Sequence, residues 1–341
     1  MNESGRRRMA FAVLGLALPA ALLLASAAGT VWLPLGDLLA SVASAAGIGA
    51  ASPLATAGET ILWTVRLPRV FLAALVGGGL AVVGATLQAV FRNPMADAGL
   101  LGVGAGAALG AVLAVRLGWV TDLFLALPLS AFAGALAAAL AVYVLAYAGG
   151  RGSIHGLLLT GLAVSSLASA GTSVLLVATE EFRVKTVLFW LAGGLEGRGW
   201  THLRVGGALV LAGVVALAAL ARLLDVLSLG EEEAAALGLP VHATRLGLLA
   251  LAALVAGAAT SVAGSVPFVG LMAPHALRRL VGPLSRHLLP ASFLAGALLV
   301  VLADLASRTL SPSMDLPLGA LTAFVGAPYF LFALRAGEAR S

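Results

Sequence analysis

The sequence predicts an all-α membrane protein with about ten transmembrane helices and both termini in the cytoplasm. Hydrophobic residues make up 61% of the chain and charged residues only 10%. Besides the Ala-, Gly- and Ser-rich residues 38–58, nine stretches of 17 or more residues contain no Asp, Glu, Lys or Arg, and a helix needs about 20 apolar residues to cross a bilayer. Backbone groups in lipid must bond internally and these stretches are too long for barrel strands, so the spans are helices. We expect one polytopic domain over residues 1–341.

Arginines at the two ends of the chain set the predicted orientation. Three arginines at 6–8 precede the first apolar stretch, and Arg335 and Arg340 follow the last, so both ends are cytoplasmic and the number of crossings is even. Residues 246–277 are too long for one span, so we divide them into a full helix and a short interrupted one, which gives ten crossings. The residues that interrupt it are Gly264, Pro267, Gly270 and Pro274. Residues 25–27 resemble a secretory cleavage site, but the apolar run before them is longer than a usual signal core, and we expect an uncleaved first helix.

Polar segments mark the predicted loops between the spans. Residues 31–67 form the longest external connection, which ends in Arg66-Leu67-Pro68-Arg69 at the mouth of the second span, and residues 92–97 form a cytoplasmic turn. In the fifth span, small polar residues recur at helical spacing, which favours helix packing, with a transport pathway wall as the alternative. They include Ser165, Ser169 and Thr172. Residues 180–200 lie outside, and their apolar piece at 187–192 is expected to form a short surface helix.

An acidic segment at residues 229–241 is the most informative part of the chain. It reads Leu-Gly-Glu-Glu-Glu-Ala-Ala-Ala-Leu-Gly-Leu-Pro-Val. Ser228 can cap a helix with Glu231 at its third position, which is the capping-box spacing, and the glutamates then lie in the first turn, where the helix dipole favours negative charge. Gly238 ends the helix and Pro240 prevents its continuation. Lipid does not accept three carboxylates, so we expect this short helix to face water and a partner protein.

Other residue patterns exclude several functions. The only lysine, Lys185, follows Val184, so the chain has no Gly-Lys phosphate-binding loop. The absence of Cys excludes disulfides and thiolate metal sites. Arginines flanking apolar spans explain the basic charge better than nucleic-acid binding does, and the five histidines lie near span ends, where we expect no metal site. Ser153 and His155 suggest a serine hydrolase only weakly, because no oxyanion motif accompanies them.

The source of energy separates the remaining classes of transporter. A secondary transporter normally carries ionisable residues within its spans, whereas Asp97, Asp304 and Asp315 all fall at predicted span ends. Energy must then enter from elsewhere, and the acidic segment 229–241 is the natural place. A secondary transporter and a membrane receptor or scaffold are the rival classes, and the acidic segment argues against both.

Several ordered motifs resemble the permease subunits of ATP-binding-cassette importers for iron chelates, haem and cobalamin. The similarity covers nearly the whole chain from Arg66 onward, and the motifs are specific together although each alone is weak. The motifs are Arg66-Leu-Pro-Arg69, Gly84-Ala-Thr-Leu-Gln88 with Arg92-Asn-Pro94, residues 229–238, residues 267–275 with Arg278, His287-Leu-Leu-Pro290, Ala303-Asp304 with Arg308, and Leu316-Pro-Leu-Gly319 with Gly326-Ala-Pro328.

The resemblance implies the type II importer permease fold and a homodimer in a bacterial inner membrane. It implies two cytoplasmic ATPase subunits, which bind ATP and Mg²⁺, and a periplasmic substrate-binding protein; the chain itself binds no cofactor and is not an enzyme. The segment at about 228–241 resembles the coupling helices that contact the ATPase. The residues implied are Leu229, Gly230, Glu231, Glu232, Ala234, Leu237 and Gly238. The external arginines Arg66, Arg69 and Arg308 match arginines that pair with acids of the binding protein in relatives.

On the same resemblance, spans five and ten line a pathway on the dimer axis. Residues 151–156 are expected at the inner gate, and residues 326–328 are expected to break the last span. The expected pathway and gate residues are Arg151, Ser153, His155, Ser165, Ser169, Thr172, Gly326 and Pro328. The expected cargo is haem or another ferric chelate, with cobalamin as the alternative. No histidine lies in mid-span to ligate haem iron, but transfer can proceed without ligation.

Overall fold

The computed structural model describes residues 2–48, 52, 54–122, 125–147, 154–311 and 314–338, and every regular element in these ranges is helical. In chain order the α-helices are α1 (Glu3–Ala27), α2 (Leu35–Ala45), α3 (Thr56–Thr60), α4 (Leu67–Val90), α5 (Val103–Arg116), α6 (Trp119–Asp122), α7 (Ala126–Tyr147), α8 (Ile154–Val177), α9 (Glu181–Leu191), α10 (Trp200–His202), α11 (Ala208–Ala219), α12 (Ala221–Leu229), α13 (Glu231–Ala236), α14 (Val241–Ala263), α15 (Val269–Val281), α16 (Ser285–Thr309) and α17 (Leu318–Glu338). Two π-helical segments, Ile61–Arg66 and Leu203–Gly207, join α3 to α4 and α10 to α11.

Seven of the described helices are long and apolar enough to cross a membrane. They are Glu3–Ala27, Thr56–Val90, Ala126–Tyr147, His155–Val177, Trp200–Ala219, Val241–Ala263 and Ser285–Thr309. Three shorter helices, α5, α15 and α17, pack against these spans. Crossing by all three would give the predicted ten, and the number of crossings and the side of the termini stay predictions.

Helix α4 lies at the centre of the bundle. Most of its residues are buried, and it packs against α14, α15 and α16. A Cβ atom on Gly77 would lie 2.2 Å from the carbonyl oxygen of Gly296, and one on Gly84 would lie 1.8 Å from that of Gly270. Glycine at these positions lets the backbones touch, as small residues do between membrane helices. The glycines of α4 therefore set its spacing to α15 and α16.

The predicted division of residues 246–277 into two helices is confirmed, but the second helix is not interrupted. Helix α14 ends at Ala263, Gly264 turns the chain with φ 68°, and α15 starts at Val269. Pro274 lies inside α15 without ending it. Its ring has no N–H for the carbonyl of Gly270, and the side-chain nitrogen of Gln88 in α4 lies 3.4 Å from that oxygen instead. This contact fastens the short helix to the central one.

The second span begins earlier than predicted. Its helix runs unbroken from Thr56 to Val90, so Arg66 and Arg69 lie within a helix and not in a loop that precedes it. Pro68 cannot donate a backbone hydrogen bond, and the π-helical turn Ile61–Arg66, with its longer bond spacing, precedes it. The predicted surface helix at 187–192 is present as the longer α9.

Candidate functional site

The three predicted docking arginines lie at one end of the bundle, and all three are buried. Arg66 is 4% exposed. Its guanidinium donates to the carbonyl oxygens of Ser26 at 3.0 Å and Ala27 at 2.6 Å, and also to that of Val31. The last carbonyls of a helix have no partner within that helix. Arg66 therefore caps the end of α1.

Arg69 and Arg308 share one buried carboxylate. Arg69 Nε lies 2.9 Å from Asp304 Oδ1, and Arg308 Nε lies 3.2 Å from Asp304 Oδ2. A second acid, Asp315, lies 2.7 Å from Arg69 Nη1. Arg308 also donates to the carbonyl oxygen of Ala25 at 2.8 Å, so it joins Arg66 in capping α1. We call Arg66, Arg69, Arg308, Asp304 and Asp315 the arginine cluster.

The burial of the arginine cluster does not favour the docking role. A docking arginine must present its guanidinium to the partner, whereas these groups are turned towards carbonyls and carboxylates of their own chain. Asp304 is 1% exposed and lies 235 residues from Arg69 along the chain. The sequence places both residues at span ends, but it contains no signal that joins them.

A cavity of about 390 Å³ opens beside the arginine cluster. Arg69 and Asp315 line one side, and Trp190 and Arg198 line another. The indole nitrogen of Trp190 has no acceptor among the described residues, and burial lowers the pKa of Arg198. Neither residue was predicted as functional from the sequence, which marks them only as parts of an external loop.

The acidic segment forms the short helix that was predicted, but Ser228 does not cap it. Helix α12 continues to Leu229, and the Ser228 hydroxyl donates to the carbonyl of Asp225 at 2.7 Å. The capping-box prediction is therefore wrong. Gly230, at φ 139° and ψ 163°, separates the two helices instead and stands at the N-cap of α13. Glu231, Glu232 and Glu233 occupy the first turn of α13, as predicted.

The end of α13 and its contact with α14 hold the acidic segment in place. Gly238 has φ 81°, and the next N–H, that of Leu239, donates to the carbonyl of Ala234 at 3.0 Å, which is a glycine-ended helix stop. Ala234 is fully buried, and Arg245 in α14 pairs with Glu231 at 2.5 Å. The position of α13 is thus fixed from both sides.

The exposed surface around α13 carries both apolar and acidic side chains. Leu229 is 58% exposed and Leu237 is 66% exposed, and Glu232 lies between them on the surface. The helix before it is anchored as well, since Asp225 Oδ1 accepts the backbone N–H of Ser285 in α16 at 2.7 Å. Neither this bond nor the Arg245–Glu231 pair could be predicted from the sequence, because each joins two different helices.

Helices α8 and α17 expose apolar faces, and the predicted pathway residues divide between exposed and packed positions. Ser169 and His155 are exposed. Thr172 is buried and donates to the Ala168 carbonyl at 2.9 Å, and Ser165 lies against Gly102. These last two residues pack the helix rather than face outward. Arg151 and Ser153 lie outside the described residues.

The predicted break at residues 326–328 is wrong. Helix α17 runs from Leu318 to Glu338 with exposed Pro328 inside it. Gly326 is buried, and a Cβ atom there would lie 2.3 Å from that of Phe268, in the loop between α14 and α15. Gly326 therefore admits the Phe268 side chain, and α17 remains continuous.

The family model described as the FecCD transport family matches residues 17–336. The chain belongs to this family. The cobalamin import system permease protein BtuC of Halobacterium salinarum is 44% identical over 83% of this chain and 75% of the relative. The hemin transport system permease protein HmuU of Yersinia pestis is 40% identical over 82% of this chain and 85% of the relative.

A solved structure agrees with the FecCD assignment. It is described as an inward-facing conformation of a metal-chelate type ABC transporter, and it is 29% identical to this chain. It covers 96% of this chain and 99% of its own, with a TM-score of 0.85. The predicted all-α type II importer permease fold is confirmed, and the chain is a multi-pass membrane protein of the FecCD family.

Proposed function

We propose that the chain is the transmembrane permease subunit of an ATP-driven importer, moving haem or another ferric chelate from a periplasmic binding protein to the cytoplasm. The FecCD match over residues 17–336 is the observation that carries the proposal. ATP and Mg²⁺ bind a separate ATPase subunit, and this chain supplies the route across a bacterial inner membrane. Residues 1–341 act as one permease domain.

The exposed face of α13 supports contact with the ATPase. Large apolar side chains at Leu229 and Leu237 flank exposed carboxylates, and an apolar patch with a polar rim is typical of a protein interface. Gly230, Ala234 and Gly238 supply the turn, the buried anchor and the stop that orient this face. We infer that α13 is the coupling helix.

The coupling role is tested by reversing the charge of α13. Glu231 is a poor choice for this test, because its replacement would also leave buried Arg245 without its carboxylate partner. The sharper variant combines Glu232→Arg with Leu237→Asp, and Glu181→Arg, at an exposed residue at the start of α9, is the matched control. We expect loss of ATPase co-purification and of uptake only in the double variant. Intact co-purification with normal uptake would reject the coupling role.

The exposed faces of α8 and α17 support a homodimer with the pathway between the copies. Leu167 in α8 is 76% exposed and Phe324 in α17 is 78% exposed, and such side chains within spans must meet lipid or another subunit. Ser169 and His155 are exposed on α8. We propose that they line the pathway, with Arg151 and Ser153 near its inner gate.

The chain contains no Cys, so single cysteines report dimer contacts cleanly. Cysteine at Leu167 or Phe324 is expected to crosslink two copies, and cysteine at Leu211 in α11, 47% exposed, is the control. Crosslinking at Leu211 without crosslinking at the other positions would place the interface elsewhere.

The external binding protein is a proposed partner whose docking surface includes the end of the bundle that carries the arginine cluster. Since Arg66, Arg69 and Arg308 are engaged within the chain, we propose that they support docking by holding the shape of this surface. Their replacement should weaken capture of the binding protein, and unchanged capture would reject this role.

The identity of the cargo is tested by uptake of haem, ferric citrate and cobalamin into vesicles that contain the complete importer. We expect ATP-dependent uptake of haem or a ferric chelate. Cobalamin is the second candidate, because a cobalamin permease is 44% identical to this chain. Uptake that persists without the ATPase would instead indicate a secondary transporter.

A further inference from the structure

A groove on the side of the bundle has an apolar wall and a cationic end. It measures about 380 Å³ and lies between α11 and α16, with Val82 of α4 at its base. Leu211, Val215 and Ala218 form one wall, and Leu289, Pro290 and Phe293 form the other. The charged residue in the lining is Arg286, at the start of α16.

The length of the groove matches one leaflet of a membrane. Its α11 side runs from Leu211 to Ala221, which at 1.5 Å per residue is about 15 Å. The hydrocarbon core of a bilayer is about 30 Å thick. The groove is therefore about as long as half of the hydrocarbon core is thick, and Arg286 lies at one end of it.

Arg286 is available to a ligand. It is exposed, and within the described part of the chain it makes no hydrogen bond or ion pair. A second exposed arginine, Arg222, lies on α12 one turn before Asp225, whose carboxylate accepts the N–H of Ser285 beside Arg286. Two helices thus bring arginines to the same end of the groove, and the Asp225 carboxylate at this end is engaged by the Ser285 N–H.

An amphiphile with a negative head group fits this arrangement better than a second copy of the chain. In a symmetric dimer the same patch of both copies forms the interface, so two arginines would be buried there with no acid in the groove lining to pair with them. A larger groove of about 500 Å³ between α5, α7 and α8 has no charged residue in its lining. Positive charge is therefore not a general property of the apolar grooves in this protein.

We propose that the groove between α11 and α16 is a binding site for an anionic phospholipid. One acyl chain lies along Leu211, Val215 and Phe293, and the phosphate accepts hydrogen bonds from Arg286, with Arg222 nearby. The lipid bridges α16 and the α11–α12 corner, and α12 leads directly into α13 through Gly230. The site is independent of the cargo.

Native mass spectrometry of the full-length chain, purified in its complex, tests the site. The probes are dioleoyl phosphatidylglycerol, dioleoyl phosphatidylcholine and inorganic phosphate alone. The variants are Arg286→Gln, which removes the charge, and Val215→Trp, which fills the groove from a position that is 60% exposed. Arg204→Gln, at an exposed arginine near the opposite end of the same span, is the control. Both test positions are at the surface, and circular dichroism verifies that the variants fold.

We expect phosphatidylglycerol to bind the unmodified protein and Arg204→Gln with similar affinity, and to bind Arg286→Gln about tenfold more weakly, the usual effect of losing a charge-assisted hydrogen bond. Val215→Trp should also lose the lipid. Three results would each overturn the proposal: equal binding of phosphatidylcholine and phosphatidylglycerol, equally tight binding of inorganic phosphate alone, or unchanged binding of phosphatidylglycerol by Arg286→Gln. Copy-to-copy crosslinking at Leu211 would also overturn it, because a second copy would then occupy the groove.

Discussion

Replacing Asp304 with Asn should destabilise the protein strongly, because it leaves buried arginines without their shared acid. The Asp304 side chain is 1% exposed, and those of Arg69 and Arg308 are each 8% exposed. Removing one partner of a buried ion pair costs about 3–5 kcal/mol. Arg69 retains Asp315, so most of the loss falls on Arg308, which would keep only backbone carbonyl partners.

Two comparison variants separate charge burial from loss of packing. Asp315→Asn should cost less, about 1–2 kcal/mol, because Asp315 is 26% exposed and forms an ion pair with one described arginine, Arg69. Combining Asp304→Asn with Arg308→Met should recover part of the loss, because the second change removes the unpaired charge.

The free energy of unfolding is measured by titration with sodium dodecyl sulfate, with helical circular dichroism as the signal. A loss below about 0.5 kcal/mol for Asp304→Asn, the range of ordinary surface changes, would refute the reasoning. The arginines would then be accessible, and their predicted docking role would regain support.

Two further predictions concern close packing and pH. Gly84→Ala places a Cβ atom 1.8 Å from the Gly270 oxygen and should lower the free energy of unfolding by at least about 1–3 kcal/mol. Gly247→Ala is the control, because nothing lies within 4 Å of a Cβ atom there. Equal stability of the two variants would contradict the packing argument. Burial raises the pKa of Asp97 in the α4–α5 turn, so the folded state prefers its protonated form and loses stability as pH rises above the ordinary aspartate value of about 3.9. Asp97→Asn keeps an acceptor for the Gly99 N–H and should flatten this pH dependence in the same unfolding titration, and an unchanged slope would reject the assignment.

Features that depend on short stretches of sequence were predicted well. The apolar runs located the long helices, Gly264 marked the division between α14 and α15, and Gly238 ended α13. Each follows from local hydrophobicity or backbone conformation. The capping signal at Ser228 failed, however, because it competed with the continuation of the preceding helix. Helix α12 continues through Ser228 to Leu229, and Gly230 is the boundary.

Contacts between distant segments could not be predicted from one sequence. Arg69 pairs with an acid 235 residues away, and nothing in the local pattern distinguishes such a buried arginine from an exposed one. The same limit applies to Pro274, whose effect on α15 depends on Gln88 from another helix. Thr172 and Ser169 lie three residues apart, yet only the structure shows which of them faces outward.

Because of the bond between Asp225 and Ser285, α16 connects the two ends of the molecule through one continuous helix. One end is held to α12, next to α13, and the other carries Asp304 in the arginine cluster. Nineteen residues separate Ser285 from Asp304, which is about 28 Å of helix. A tilt of about 10° at the α12 end, transmitted rigidly, would shift the Asp304 end by about 5 Å over that length. Force applied at α13 can therefore reach the opposite end of the bundle through a single helix.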